Sequence, residues 1–365
     1  MVLRPGRGGS ISLEMVDLFA RYGFTDGKQG LIDEPAHRTA FDRRIAAGLD
    51  DALSNPSRLH GWRVQTLFEA MVIALGTVRL IKQEDIGTYF FDDVDGWIQP
   101  PDFRIVTAAG EQLLVEVKGV APHDRWKPRK LRGKDVAQLR RYAEMTGARL
   151  LFAHYWSHLN QWSLVDADKL TVDGANYTLS FEDAMRVNEM SAVGDAWIGT
   201  VPPLTWTLIA APESVTSTIV DDGAQQIDFQ IAGVELGAAG RVLENPIELR
   251  IAQFLVLYGN WEEDCTPITD DNGRVTRLVF SYAPPEPAEP ADPPTFEIVG
   301  QLSAMYSTLF NAETLKPDNS VSALHHEPDP GMLRDLVPTD YWDRTKPSLQ
   351  IWKLHLDPDK GENGS

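Results

Sequence analysis

The sequence reads as an α/β protein in which a small mixed β-sheet flanked by helices is followed by an additional α+β C-terminal domain. Three observations lead there. Apolar residues from Trp62 to Leu75 recur with helical spacing, and two runs between Phe103 and Val120 alternate with strand period around a short turn. A helix-like stretch, Lys134 to Thr146, then leads directly into an apolar strand-like run, Ala148 to Trp156. Helix, hairpin, helix and strand in that order ask for a sheet with helices against it.

The elements follow in order. Met1 to Ser10 reads as a loose tail without the apolar stretch of a leader, and residues 11–55 look helical and polar. Between Trp62 and Leu75 the positions Val64, Leu67, Phe68, Met71, Val72 and Leu75 form an amphipathic stripe, with Glu69 at its edge. Phe103–Thr107 and Gln112–Val120 are expected strands around Ala108-Ala109-Gly110. Trp162–Val165 is a further short strand. On the Lys134–Thr146 helix, Val136, Leu139 and Ala143 should pack on the sheet. Past residue 195 the pattern changes. Leu204–Ala210, Gln226–Leu236 and Arg274–Tyr282 read as strands. Asn245, Pro246 and Glu248 supply a cap, a first-turn proline and a first-turn acid for a buried helix through Tyr258. Residues 284–294 form a proline-rich linker or surface loop, followed by a helix over Glu297–Phe310 and a last strand over Ser348–Leu356. At 365 residues the chain exceeds what one core usually spans, about 250–300 residues, so boundaries are expected. They divide it into 1–58, a helical and partly disordered segment; 59–195, the α/β domain; and 196–365, the α+β domain.

Composition narrows the class. Hydrophobic residues at 43% and charged residues at 24% are those of a globular protein rather than a disordered one, and no apolar run reaches membrane-spanning length. The single cysteine, Cys265, excludes an internal disulfide and any multi-cysteine zinc site, and a cytoplasmic location is the simplest expectation. The net charge of −19 argues against a generally basic, phosphate-coated surface. Its distribution is uneven, however. Between His123 and Arg141 lie Arg125, Lys127, Arg129, Lys130, Arg132, Lys134, Arg140 and Arg141 against Asp124 and Asp135, about +6 in all. An acidic body with one basic segment suits a protein that admits a polyanion at one place. The alternative is an ordinary solvated loop and helix face.

The hairpin carries the chemistry. Strand alternation turns Leu113, Val115 and Val117 into a core and Leu114, Glu116 and Lys118 to the other face. A turn centred on Ala109 pairs Thr107 with Glu111, and the same register sets Asp102 opposite Glu116, with Cβ atoms about 4.5–5.5 Å apart. Carboxylates that close are tolerated when one is protonated or a cation sits between them. Hard oxygen donors of this kind suit Mg²⁺, which binds through one or two carboxylates plus a substrate phosphate. His123, His154, His325 and His326 lack the spacing of a metal or triad site and are expected to be structural or exposed.

Pro101-Asp102, a spacer of residues 103–115, and Glu116-Val117-Lys118 together resemble the signature of the PD-(D/E)XK nuclease superfamily. Glu69 matches the upstream acid that many members carry. Gln138 and Tyr142, one helical turn apart, match the Gln-x-x-x-Tyr element of several branches. The resemblance spans residues 62–156 and implies a restriction-endonuclease-like core acting as a metal-dependent endonuclease on nucleic acid, DNA before RNA, in a defence, mobile-element or repair setting. Asp102, Glu116 and the carbonyl of Val117 would hold Mg²⁺, with Mn²⁺ as a substitute, and Glu69 would complete the site. Lys118 would orient or deprotonate the attacking water. Gln138 and Tyr142 would contact the substrate backbone or support Lys118. Arg125, Lys127, Arg129, Lys130, Arg132, Lys134, Arg141 and Tyr142 would bind the nucleic acid. Other protein partners or a homodimer fit the same pattern. The alternative is a nuclease-fold subunit or interaction platform that acts only inside a larger complex.

Overall fold

In the computed structural model the described residues are 11–25, 28–29, 33–85, 89–92, 94, 96–121, 127–219, 225–285, 295–343 and 347–355. The chain begins with helix α1 (Ile11–Tyr22), a small antiparallel pair β1 (Phe24–Thr25) and β2 (Lys28–Gln29), and helix α2 (Pro35–Leu53). Helix α3 (Pro56–Leu75) has clear start and stop signals. The Asn55 side chain accepts from Arg58 N–H, Pro56 opens the first turn, and Gly76 closes the helix at φ 65°. The expected stripe of Val64, Leu67, Phe68, Met71, Val72 and Leu75 is buried. So are Ala70, Ile73 and Ala74 on the opposite side, because a C-terminal segment runs along it, with Gly331 and Leu333 N–H groups donating to the Ile73 and Ala74 carbonyls.

Strands β3 (Leu80–Gln83), β4 (Phe103–Val106) and β5 (Gln112–Val120) form an antiparallel meander. Its register is the one that the turn demands: Phe103 faces Val115, Val106 faces Gln112, and Thr107 N–H donates to the Glu111 carbonyl. Strand β6 (Arg129–Arg132) runs straight into helix α4 (Gly133–Thr146), which crosses over so that β7 (Arg149–Trp156) lies parallel to β5, with β8 (Gln161–Asp166) antiparallel beyond it. The sheet order is β3-β4-β5-β7-β8. Leu113, Val115 and Val117 belong to the core shared with α3. Leu114 packs on the other side with Val136, Leu139 and Ala143 of α4. Strand β10 (Asn176–Leu179) pairs with β6 on one side and with β9 (Thr171–Asp173) on the other, so the basic segment is in part an edge strand rather than a loop. Helix α5 (Phe181–Arg186) then leads to the C-terminal half.

That half contains β11 (Trp197–Thr200), β12 (Leu204–Ala210), the hairpin β13 (Thr216–Ile219) and β14 (Gln225–Asp228), β15 (Ile231–Ala238), β16 (Arg241–Val242), helix α6 (Pro246–Tyr258), β17 (Glu262–Thr269), β18 (Val275–Ala283), β19 (Glu297–Gln301), helix α7 (Leu302–Thr314) and β20 (Ile351–Leu354). An antiparallel sheet runs β16-β15-β12-β18-β17, and a smaller one runs β19-β11-β20. Mixed sheets and helices make this an α/β protein, as expected. Several boundaries differ. The run Gln226–Leu236 is split between β14 and β15, and residues 297–301 are strand rather than the start of a helix. There β11 offers a pairing edge, and Ser303 N–H finds a buried cap in the Asp195 carboxylate, which also accepts from Gln301. The last strand is confined to Ile351–Leu354, and of the proline-rich stretch residues 286–294 lie outside the described set. Apolar residues on both sides of residue 195 join one hydrophobic cluster that includes Leu67, Val115, Ile198, Leu255, Met305 and Ile351.

Candidate active site

Asp102 lies one residue ahead of β4, held there by Pro100 and Pro101, and continuing the hairpin register by one pair sets it opposite Glu116. Both side chains are almost fully buried, at 7% and 4% exposure. One Asp102 oxygen accepts from the backbone N–H of Val117 at 2.6 Å, and the other accepts from Gln65 Nε2 of α3 at 2.7 Å. In an antiparallel pair a residue's N–H and C=O leave the strand on the same side. The Val117 carbonyl therefore points past the end of β4 towards Asp102. Lys118, two residues after Glu116 and on the same face, donates to the Glu116 carboxylate. Burial, and next the neighbouring Glu116, push the Asp102 carboxyl well above the ordinary range, while the Val117 N–H and Lys118 pull it down.

This arrangement can do three things chemically. It sets two hard anionic oxygen donors beside one another, the kind of donor that a Mg²⁺-type ion takes. It places an ammonium beside them. And it stores electrostatic strain that a divalent cation would relieve. Among the described residues no group of three or more His, Cys, Asp or Glu side chains converges on one point, so any ion here would complete its shell from water or substrate.

Glu69 is not part of this pair. Its carboxylate accepts from Gln83 Nε2 at 3.0 Å, and burial raises its pKa. The α3 residue that reaches Asp102 is Gln65, one turn earlier on the same helix face. That role was not expected, although the i,i+4 spacing from Glu69 could have pointed to it. Gln138 and Tyr142 are not drawn to Lys118 either. The Tyr142 hydroxyl donates to Glu84 Oε1 at 2.6 Å, in a cluster with Arg104 at the β3–β4 edge. The Gln138 backbone carbonyl accepts from Gln99 N–H. The physical reason is the rotation of α4. Val136, Leu139 and Ala143 are buried against the sheet, which swings the 138/142 face towards β3 and β4 and away from the end of β5.

A cavity of about 340 Å³ opens beside Glu116 and Lys118. Glu116 and Lys118 line one side of it, Asp135, Val136 and Leu139 of α4 a second, and Arg129, Lys130 and Arg132 of β6 a third. The basic strand therefore faces Glu116 and Lys118 across the cavity. Arg132 also reaches Asp135 at 2.9 Å and Lys130 reaches Asp173 at 3.4 Å, both largely exposed pairs of small energetic weight. The Arg129 Nε is buried without a hydrogen-bond partner among the described residues. Lys127 and Lys134 are exposed at the ends of the strand, and Arg141 donates to the Trp97 carbonyl at 3.2 Å. Arg125 lies outside the described residues. His154, register neighbour of Lys118 on β7, is fully buried. Burial, with Arg129 and Lys118 nearby, pushes its pKa down to about 3, so it stays neutral.

No protein-family model matches the sequence, and neither does any curated protein. Among solved structures, one that aligns is a Holliday junction resolvase from the archaeal hyperthermophile Archaeoglobus fulgidus. The two are 19% identical over 33% of this chain and 85% of that one, with a TM-score of 0.24. No helix among the described residues is long and apolar enough to cross a membrane.

Proposed function

We propose that this chain is a metal-dependent nuclease that hydrolyses phosphodiester bonds in nucleic acid, with DNA the substrate that its resemblance to the PD-(D/E)XK superfamily favours. The observation that carries the reading is the buried, opposed pair Asp102 and Glu116 with Lys118 on the same sheet face. Two adjacent buried carboxylates with one ammonium between them and solvent are costly for folding alone, and such strain is commonly kept where chemistry uses it. Asp102, Glu116 and the Val117 carbonyl would hold Mg²⁺ or Mn²⁺. When bound, the ion supplies Lewis-acid relief of the charge on the phosphoryl oxygens.

The chain's own groups supply the rest. Lys118 orients the attacking water and offsets the negative charge that gathers in the transition state. Gln65 and the Val117 N–H fix the Asp102 carboxylate so that its lone pairs keep one direction. Arg129, Lys130 and Arg132 across the cavity take substrate phosphates, and Lys127, Lys134 and Arg141 extend the positive strip. None of these groups reads base edges, so sequence preference does not arise at this site.

The test is cleavage of labelled DNA and RNA in Mg²⁺, in Mn²⁺ and in EDTA, with Glu116→Gln and Lys118→Met prepared in parallel. Metal-dependent turnover by the wild type that both variants lose is the expected result. A wild type without turnover in either metal, or variants that cut as well as it does, would overturn the proposal in favour of an interaction platform.

A further inference from the structure

Between β3 and β4 the chain exposes a run of aromatic rings. Phe90 is 99% exposed and Trp97 68%, with Tyr89 half exposed beside them. The rings of Tyr89 and Phe91 lie 6.1 Å apart, and those of Phe91 and Trp97 5.6 Å. Proteins that act alone rarely leave neighbouring large aromatics in water, so a surface like this marks a partner. Two features of its setting identify the partner's chemistry.

The first is continuity with the site. Trp97 is two residues from Gln99, which lines the cavity, so their Cα atoms are within about 7 Å of each other. Helix α4 ties the two together. Arg141 holds the Trp97 carbonyl, and the Gln138 carbonyl takes the Gln99 N–H, while the Asp135–Leu139 face of the same helix walls the cavity. The second is charge. Asp92 is exposed among the rings, and the sequence adds Asp93 and Asp95 to the segment. The exposed Asp92 carboxylate disfavours phosphate over the rings themselves, while Arg141 at the Trp97 carbonyl favours it beside them, so nucleic acid settles here with its bases on the rings and its phosphates towards Arg141 and β6. A duplex keeps its bases stacked inside and its phosphates outside. A single strand can turn its bases onto the rings while its phosphates lie along β6. The cavity agrees. At about 340 Å³ it is near the lower end of small-ligand pockets, about 300–1,000 Å³, which is room for one nucleotide of such a strand.

We infer that the substrate is single-stranded nucleic acid whose bases stack on Phe90 and Trp97 as the strand enters the Asp102–Glu116 site. The inference rests on the nuclease reading for the fate of the strand, but not for its binding. The experiment therefore measures binding in EDTA, by fluorescence anisotropy of a labelled oligo-dT and of a labelled hairpin duplex of equal length, to the full chain.

The wild type should bind the single strand at least about tenfold more tightly than the hairpin. Phe90→Ala combined with Trp97→Ala should weaken single-strand binding by about tenfold or more, since base–aromatic stacking is worth about 1–3 kcal/mol per base. Trp97→Phe, which keeps a ring, should retain most of the affinity. Both side chains are exposed, so the melting temperature should not move. Equal or tighter binding of the hairpin, or an unchanged single-strand affinity in the double variant, overturns the inference. Loop-dependent single-strand binding without cleavage in Mg²⁺ or Mn²⁺ supports it and instead overturns the nuclease reading. Duplex cleavage indifferent to both substitutions does the reverse.

Discussion

Replacing Asp102 with asparagine should stabilise the metal-free protein and abolish its response to metal. The carboxylate is buried beside Glu116, and its pKa is raised first by burial and second by that neighbour. A raised acid pKa means that the native state holds its proton longer than the unfolded chain does. Stability from this group is therefore full below the unfolded value, near 3.8, and is lost as pH climbs through the raised native value. Asparagine removes that penalty. Its carbonyl can still accept from Val117 N–H, and its amide can donate to Gln65 once the Gln65 amide turns over, so neither partner is orphaned. The gain should be about 1–3 kcal/mol, the scale of one poorly solvated polar group. For a chain of this length that is a rise of about 1–4 °C in Tm, from an unfolding entropy of roughly 2 cal/mol/K per residue. The difference between variant and wild type should shrink as pH falls towards 4. Adding Mn²⁺ at about 100 times its Kd should stabilise the wild type by about 2.7 kcal/mol and leave Asp102→Asn unmoved, reversing the order of the two. Differential scanning fluorimetry from pH 4 to 9, with EDTA or Mn²⁺, reads all of this. A variant less stable than wild type in EDTA across that range, or equally stabilised by Mn²⁺, would refute the reasoning.

Lys118→Met keeps most of the aliphatic stem and removes the ammonium, so cleavage should fall by about 100-fold or more while Tm stays within a few degrees; single-turnover rates beside a melting curve check it. Neutralising Lys127, Arg129, Lys130 and Arg132 together should weaken nucleic-acid binding and flatten its salt dependence by about 0.7–0.9 of a log unit per lost phosphate contact. An unchanged slope in anisotropy titrations would remove β6 from the interface. Gly76→Ala places a Cβ 2.6 Å from the Gly331 Cα at a φ of 65°. It should therefore cost about 2 kcal/mol or more in urea unfolding, whereas Gly147→Ala, with a similar φ but nothing near, should cost less.

The site was legible in the sequence where local rules govern it. Period-two alternation and a short turn settle the register of β4 and β5, and with it the opposition of Asp102 and Glu116. Helical spacing settles which side of α4 meets the sheet. Legibility failed where distant pairing decides. Arg129–Arg132 carries only Leu131 as an apolar residue, so nothing local marks it as a strand, and its partner β10 lies more than forty residues on. Glu297–Gln301 precedes a helical pattern without a break, and β11 rather than intrinsic preference makes it extended. Glu69 drew attention as the acid on α3, yet the rotation of that helix brings Gln65 to Asp102. A rotation of that kind depends on what covers the far side of the helix, where Ala70 and Ala74 give no directional signal.

What covers it is the C-terminal half, and this ties the unassigned part of the chain to the site. Arg63, one turn before Leu67 on α3, is buried and donates to the Thr314 hydroxyl and to the Asn311 side-chain Oδ1 of α7. Its guanidinium lies over the Phe310 ring, 5.4 Å from the ring centroid, with no carboxylate among the described residues bonded to it. Trp162 of β8 donates to Ser307 of the same helix at 3.0 Å. A buried guanidinium held only by neutral acceptors costs several kcal/mol if those acceptors leave. Helix α7 therefore clamps α3 in one rotation, and that rotation is what aims Gln65 at Asp102. If α7 were removed, the apolar back of α3 and the Arg63 charge would both meet water. The helix would turn to rebury what it could, and the hydrogen bond that orients Asp102 would be among the first lost. The position of the carboxylate at the mouth of the hairpin is thus set from two sides, by the β4–β5 register within the sheet and by α7 acting through α3.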